Sequence, residues 1–282
     1  MQDVLSHPAA LTTQSVDNFV RLDSDECKAL GTKLHDQYCN AEPFPHIVLE
    51  DFLPRETLRR MLAEFPEPEP GRFADAFSKL KTGYQLDKIK SPYINAVINA
   101  LNSAPFLDFL VNMTGIQGLM ADPYQVGGGL HETRRGGHLS IHADFNMHPS
   151  LKVRRRLNLI LFLNEDWDES FGGHLELWTK DMARCTDRVL PVIGRAVIFN
   201  TDSDSFHGHP EPLTCPDDRT RRSLALYYYA ADADLLSLQQ SRTTNFKKRP
   251  ASDDKVNVKW KVDALVKDLC PPMLYRAFTR KS

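Results

Sequence analysis

The sequence lacks the marks of several large protein classes. Its five cysteines (Cys27, Cys39, Cys185, Cys215, Cys270) are scattered, odd in number and never spaced as C-x-x-C. That pattern argues against a cysteine zinc site or a disulfide framework and fits a reducing compartment. No apolar run is long enough to span a bilayer, so no membrane association is expected. The first residues show no basic patch followed by an apolar core, so no signal peptide is expected and a cytoplasmic location follows. No charge of one sign dominates. The formal net charge is −2 and the isoelectric point is near 6.6. Neither nucleic acid nor an anionic membrane is therefore an expected partner. There is no internal repeat and no low-complexity tract.

What is present is ordinary in bulk and particular in order. The 282 residues hold enough apolar side chains for one sizeable core. Residues 1–22 are polar without a clear period and read as a loose N-terminal arm. Residues 23–118 read as a helical support region. Within it, Ser24 caps a helix to about Tyr38, Pro43-Phe44-Pro45 breaks it, and His46–Leu49 forms a short strand. Pro54 opens a helix from Arg55 to Phe65, and further helical patterns lie near Tyr93–Leu101 and Phe106–Met113. Alternating prolines make 66–71 a loop.

From about residue 119 to 232 the texture changes to short β-rich runs between glycine turns. Strands are expected near Pro123–Val126, His138–His142, Leu157–Leu163, His174–Trp178, Arg188–Val192, Ala196–Asn200, Ser205–His209 and Arg222–Ala230. Eight short strands at this spacing suggest a jelly roll or barrel. Residues 233–282 read as a surface loop followed by a helical tail, about Val256–Leu269. The fold class expected is thus a mainly β core with flanking helices (α+β), the whole forming one catalytic unit. The helical N-terminal third is either support for that core or the surface of a homodimer.

A chemical constellation stands out in the β region. In an extended strand, residues i and i+2 point to the same face, so His142 and Asp144 can reach one ion. A later strand supplies His207. Two imidazoles and one carboxylate on one face of a metal suit non-haem iron(II) and leave three positions open. His209 shares the face of His207 and is a rival third ligand. Fourteen positions after His207, Arg221-Arg222-Ser223 begins the next strand. Arginine offers a planar fork to a carboxylate, and a hydroxyl two residues on lies on the same strand face. Arg221 and Ser223 therefore suit the far carboxylate of a 2-oxo diacid. His138, His148 and His174 read as structural or pocket residues. His131, Glu132 and Arg134, in an expected loop before the triad strand, are candidates for the substrate entrance. The basic run Lys152–Arg156 reads as a solvated strand entry or as a contact for an anionic group.

The stretch from about Tyr124 to Ala230 resembles the catalytic core of the 2-oxoglutarate/iron(II) dioxygenase superfamily, in its prolyl-4-hydroxylase-like branch. The resemblance rests on Gly127-Gly128-Gly129-Leu130, His142-Ala143-Asp144, Arg156 to Asn164 running into Asp166-Trp167, Gly172 to Leu177, Phe199-Asn200, His207-Gly208 and Arg221 to Leu224. It implies a double-stranded β-helix with His142, Asp144 and His207 as iron ligands and Arg221 with Ser223 at the cosubstrate. One departure is that many relatives place a tyrosine where this chain has Phe162, so Tyr124 or Asn158 is a candidate for that polar contact. Some collagen-type members also use lysine where this chain has Arg221. Because Asp144 is present, hydroxylation is favoured over halogenation. The activity implied is hydroxylation of an unactivated C–H of an amino-acid-like, peptidyl or natural-product substrate. It uses Fe(II), 2-oxoglutarate and O2, releases succinate and CO2, and could draw on ascorbate as reductant. The competing reading is a non-oxidative, cupin-like metal-binding isomerase or sensor, for which Arg221-x-Ser223 has no use.

Overall fold

The computed structural model describes residues 9–67, 78–84, 88–231 and 244–252. The expected helix at 256–269 lies outside the described residues. Part of the expected N-terminal arm is ordered into a hairpin, in which β1 (Thr13–Val16) pairs antiparallel with β2 (Phe19–Leu22). Alternation in β2 buries Val20 and Leu22, which a loose arm would leave in water.

Helix α1 (Ser24–Cys39) starts one residue differently from expectation. The cap is Asp23, whose carboxylate accepts from the backbone N–H groups of Asp25 and Glu26 at 2.9 Å each. A carboxylate there satisfies two otherwise unpaired donors and suits the positive end of the helix. Strand β3 (His46–Leu49) and helix α2 (Arg55–Ala63, entered through Pro54) follow, and α2 ends before the expected Phe65. Strand β4 (Ser78–Tyr84) was not foreseen, since its sequence alternates no clear apolar face. Helix α3 (Pro92–Leu101) is capped by Ser91, which accepts from Ile94 N–H at 3.0 Å. Helix α4 (Ala104–Thr114) stops at Gly115, where φ is +73°. Helices α1 and α4 touch so closely that a Cβ on Gly31 would lie 2.4 Å from the Phe109 carbonyl oxygen.

The β region holds β5 (Leu119–Ala121), β6 (Gly129–Ala143), β7 (Arg154–Phe162), β8 (Leu175–Trp178), β9 (Cys185–Val189), β10 (Ala196–Asn200), β11 (His207–His209), β12 (Thr220–Ala230) and β13 (Asn245–Phe246). Three expectations are corrected. The segment 123–126 is a turn, and the strand lies just before it, in β5. Strand β6 begins at Gly129, so His131, Glu132 and Arg134 are in a strand and not a loop. Strand β9 sits three residues earlier than predicted. Within the polar stretch after 232, read as loop, β13 pairs with Ala143 and His142 of β6.

The strands form an antiparallel jelly roll in the order β3-β10-β7-β12-β6-β11-β8-β9, with β4 and β13 added on β6 and β5 on β12. The long β6 pairs with β12 through its first half and with β11 through its second. It thereby carries the chain from one wall of the barrel to the other. One face of β7, β10 and β12 (Leu157, Leu159, Leu161, Ile198, Leu224, Leu226) packs on the helices through Leu58, Ile94, Ile98, Phe106 and Phe109. Burying each such side chain contributes roughly 1.5–3 kcal/mol. The helices therefore act as support for the core. Among the described residues, no single helix is long and apolar enough to cross a membrane; the apolar pair α3 and α4 is bent by 42° and spends its buried face on this core.

Candidate metal and cosubstrate site

The other face of the same strands lines a cavity of about 290 Å³. Strand parity selects its walls. Along β12, Arg221, Ser223, Ala225 and Tyr227 face in, while Leu224, Leu226 and Tyr228 face the helical core. Along β7, Asn158 and Ile160 face in.

At one end of the cavity, the register pairs His207 directly with His142. Their rings lie 4.6 Å apart between centroids. Asp144, just past the end of β6, places Oδ1 3.5 Å from His142 Nε2 and Oδ2 3.4 Å from His207 Nε2. One ligand atom from each of the three residues lies within 4.8 Å of the others, and all three residues are buried. Each imidazole is turned by its own strand. His142 Nδ1 is 2.8 Å from the Ser140 carbonyl, and His207 Nδ1 is 3.0 Å from the Ser205 carbonyl. A carbonyl can only accept, so Nδ1 carries the hydrogen in both rings and Nε2 presents a lone pair to the shared point. Burial, together with the neighbouring His142, brings His207 down to about 4, against the pull of Asp144, so it is neutral at physiological pH.

Asp144 is held from behind. Burial alone would raise its carboxyl, but Arg155, His207 and His142 outweigh that and keep it well below the usual carboxylate range. Arg155 is fully buried, 3.1 Å from Asp144 Oδ2. Asn158 donates from Nδ2 to the same oxygen at 2.7 Å and accepts from Arg155 Nε at 2.9 Å. The guanidinium lies 3.4 Å over the Tyr227 ring and 4.7 Å over Phe145. Arg155 reaches the cavity because the register slips beside it. Tyr228 faces Leu157 and Tyr229 faces Arg155, leaving Arg156 as a bulge. The basic run thus divides: Arg155 is buried beside Asp144, whereas Arg154 lies at the surface, 3.7 Å from Asp202.

At the other end, Arg221 is 5 % exposed, donates from Nε to the Gly173 carbonyl at 2.7 Å and covers Phe162 at 4.9 Å. It has no carboxylate within ion-pair distance among the described residues. Burial without a counter-charge pulls its guanidinium down to about 9, still charged at neutral pH. Gly173 must be glycine, since φ is +74° and a Cβ would sit 2.9 Å from Arg221 Cδ. Ser223 is buried on the same face.

The other residues singled out in the sequence divide as follows. Asn158 lines the cavity, but its amide is committed to Asp144 and Arg155. Tyr124 is 58 % exposed and stacks on His148 outside the cavity, so it is not the polar contact sought opposite Phe162. His148 is buried 3.1 Å from Asp122. Glu132, expected at an entrance, faces away from the cavity and accepts from Tyr84 and Thr220. His131 lines the cavity; burial and nearby Lys81 push its imidazole well below the ordinary value. His209 also lines the cavity but is not part of the three-ligand cluster. Sequence reasoning missed Arg155, Tyr227, Lys81 and Phe246 as cavity residues. Tyr227 was accessible by counting in twos from Arg221, whereas Arg155 was hidden by the bulge.

Two histidines and one aspartate, with both Nε2 atoms turned towards the carboxylate, form the donor set that non-haem iron(II) uses. Comparison with known proteins agrees. Residues 128–229 match the sequence model of the 2OG-Fe(II) oxygenase superfamily. Over those residues the chain's β core is similar to the 2OG-Fe(II) oxygenases, the class to which its donor set also points. No curated protein matches the chain. A prolyl hydroxylase from Trichoplax adhaerens, solved with a hypoxia inducible factor peptide fragment, shares the fold. It aligns at 14% identity and TM-score 0.51, covering 73% of this chain and 91% of that one. A prolyl-4-hydroxylase from Pseudomonas putida aligns at 19% identity and TM-score 0.49, over 72% of this chain and all of the other.

Proposed function

We propose that this chain hydroxylates an unactivated C–H of an amino-acid-like, peptidyl or natural-product substrate. In this reading, His142, Asp144 and His207 hold iron(II), and Arg221 with Ser223 binds the far carboxylate of 2-oxoglutarate. The observation that carries the reading is the pairing of two features in one cavity: a buried three-ligand cluster at one end and a buried, uncompensated guanidinium at the other. A diacid with one chelating end answers both. Iron(II) and dioxygen, when bound, supply the oxidation in which 2-oxoglutarate leaves as succinate and carbon dioxide and the substrate gains a hydroxyl.

The residues of the chain do the rest. The Ser140 and Ser205 carbonyls fix the tautomer of the two imidazoles. Arg155 and Asn158 hold Asp144 ionised and oriented. Arg221 sets which way the cosubstrate lies, and Leu175 and Ile160 exclude water around its carbon chain. The test follows 2-oxoglutarate decay with iron(II) across candidate substrates, with mass spectrometry for the gain of one oxygen. His142→Ala should abolish the decay; decay at the wild-type rate in that variant sinks the metal assignment. Metal binding with no 2-oxoglutarate turnover under any condition would favour a non-oxidative jelly-roll protein.

A further inference from the structure

His209 is unusual among the polar residues of the cavity. It is 3 % exposed, lines the cavity, and both of its ring nitrogens lack a hydrogen-bond partner among the described residues. A buried imidazole with neither nitrogen engaged has given up its hydrogen bonds to water without replacing them. Strong burial without a partner therefore points to a ligand absent from the chain itself.

Its position narrows the ligand. Strand β11 lies against β8 with His207 opposite Leu177 and Gly208 opposite Glu176. Continuing that register puts His209 opposite Leu175, two residues from Gly173, whose carbonyl anchors Arg221. His207 thus stands at the metal end and His209 one two-residue step, about 6.8 Å, towards the Arg221 end. Gly208 permits this: a Cβ there would lie 2.8 Å from the carbonyl oxygens of Leu139 and Ser140, so the strand could not hug β6 with a larger residue. Under Arg221 lies the ring of Phe162, with Ser223 and His131 also in the cavity wall. Phe162 offers no hydrogen-bond donor there. Tyr124 lies outside the cavity, and the Asn158 amide is engaged by Asp144 and Arg155.

We infer that His209 donates a hydrogen bond to the far carboxylate of 2-oxoglutarate, beside Arg221, and so takes over the polar role that Phe162 cannot play. The inference rests on the proposed function. His209 is then a residue that tunes cosubstrate affinity and selectivity for a diacid, and it is not a metal ligand.

The test measures binding by titration calorimetry under anaerobic conditions with the protein loaded with Mn(II). Two probes are compared: 2-oxoglutarate, and 2-oxobutyrate, which chelates identically but lacks the far carboxylate. His209→Leu should weaken 2-oxoglutarate about tenfold or more, the loss of one hydrogen bond to a charged group, and leave 2-oxobutyrate and Mn(II) affinities unchanged. His209→Gln, which keeps a donor, should recover part of the loss. Equal weakening of both probes, or of neither, overturns the inference. If Mn(II) binding is lost in His209→Leu, His209 is a ligand and the inference is overturned by that route. If the wild-type protein itself fails to prefer 2-oxoglutarate over 2-oxobutyrate, the proposed function falls and takes this inference with it. A wild-type preference that survives in His209→Leu but vanishes in Arg221→Leu refutes only the role given to His209.

Discussion

The two ends of the cavity are built on opposite electrostatic terms. At the metal end, the chain supplies both charges. Asp144 is buried against Arg155 and tied to it through Asn158, and the guanidinium is further clamped between Tyr227 and Phe145. At the far end, the chain supplies one charge only. Arg221 is as deeply buried, yet among the described residues only a backbone carbonyl and the face of Phe162 receive it. The difference separates a group that must be held still from one that must be answered. An internally paired charge contributes to folding and orients its partner. An unpaired one costs folding energy that binding of an anion returns.

The largest expected effect of that contrast is on stability. Arg155→Leu leaves Asp144 buried without its cation, so the metal-free protein should lose about 3–5 kcal/mol in denaturant titration. Metal affinity should also fall roughly 10- to 100-fold, because Asp144 loses the contact that orients it. Unchanged stability would break the comparison at its stronger end. Arg221→Leu should behave oppositely. The metal-free variant should be as stable as wild type or more so, since an uncompensated buried cation has gone. Its affinity for 2-oxoglutarate should nevertheless drop roughly 10- to 100-fold. A variant that unfolds instead would show that Arg221 is structural after all.

The smallest effect concerns pH. The His207 imidazole is lowered to about 4 in the fold and returns to about 6.5 on unfolding. The unfolded chain then binds more protons across that interval, so stability falls as pH drops from 6.5 towards 4. Between pH 6.5 and 5.5, His207 alone should account for a loss on the order of 1 kcal/mol in the metal-free protein. The comparison to make is wild type against His207→Gln by denaturant titration at the two pH values. Identical slopes would remove the desolvated imidazole from the account of the metal end.

How far the sequence could be read follows the same physical lines. The cluster of His142, Asp144 and His207 was legible because two residues apart along a strand means one face, and the partner strand supplied a third candidate ligand in register. Parity also made His209 look equivalent to His207; only the pairing of β11 with β6, opposite His142, separates them. Arg221 and Ser223 were legible by the same rule, and the structure sets both in the cavity wall. What stayed hidden was what breaks the rule. The bulge at Arg156 turns a residue that looked like part of a solvated basic run into the neighbour of Asp144. Strand β4 carries two lysines and no clear apolar period, so only its docking along β6 makes it a strand. The polar residues at the start of β6 read as a loop because their burial depends on that cover. Tyr124 was misplaced because β5 ends at Ala121, and the turn that follows directs the ring to the surface.

The bond from Nδ1 to a carbonyl two residues upstream occurs at His142 and His207, and again at His46, where Phe44 accepts at 2.9 Å away from the ligand cluster. It is therefore a local arrangement of extended backbone that does not need the cavity, although His209, on the same strand as His207, does not make it. Each of the two clustered imidazoles, His142 and His207, carries its own aiming device within three consecutive residues. Such a grip is modular in heredity: the surrounding walls can drift to suit new substrates while the aim of the two rings is inherited with the strand.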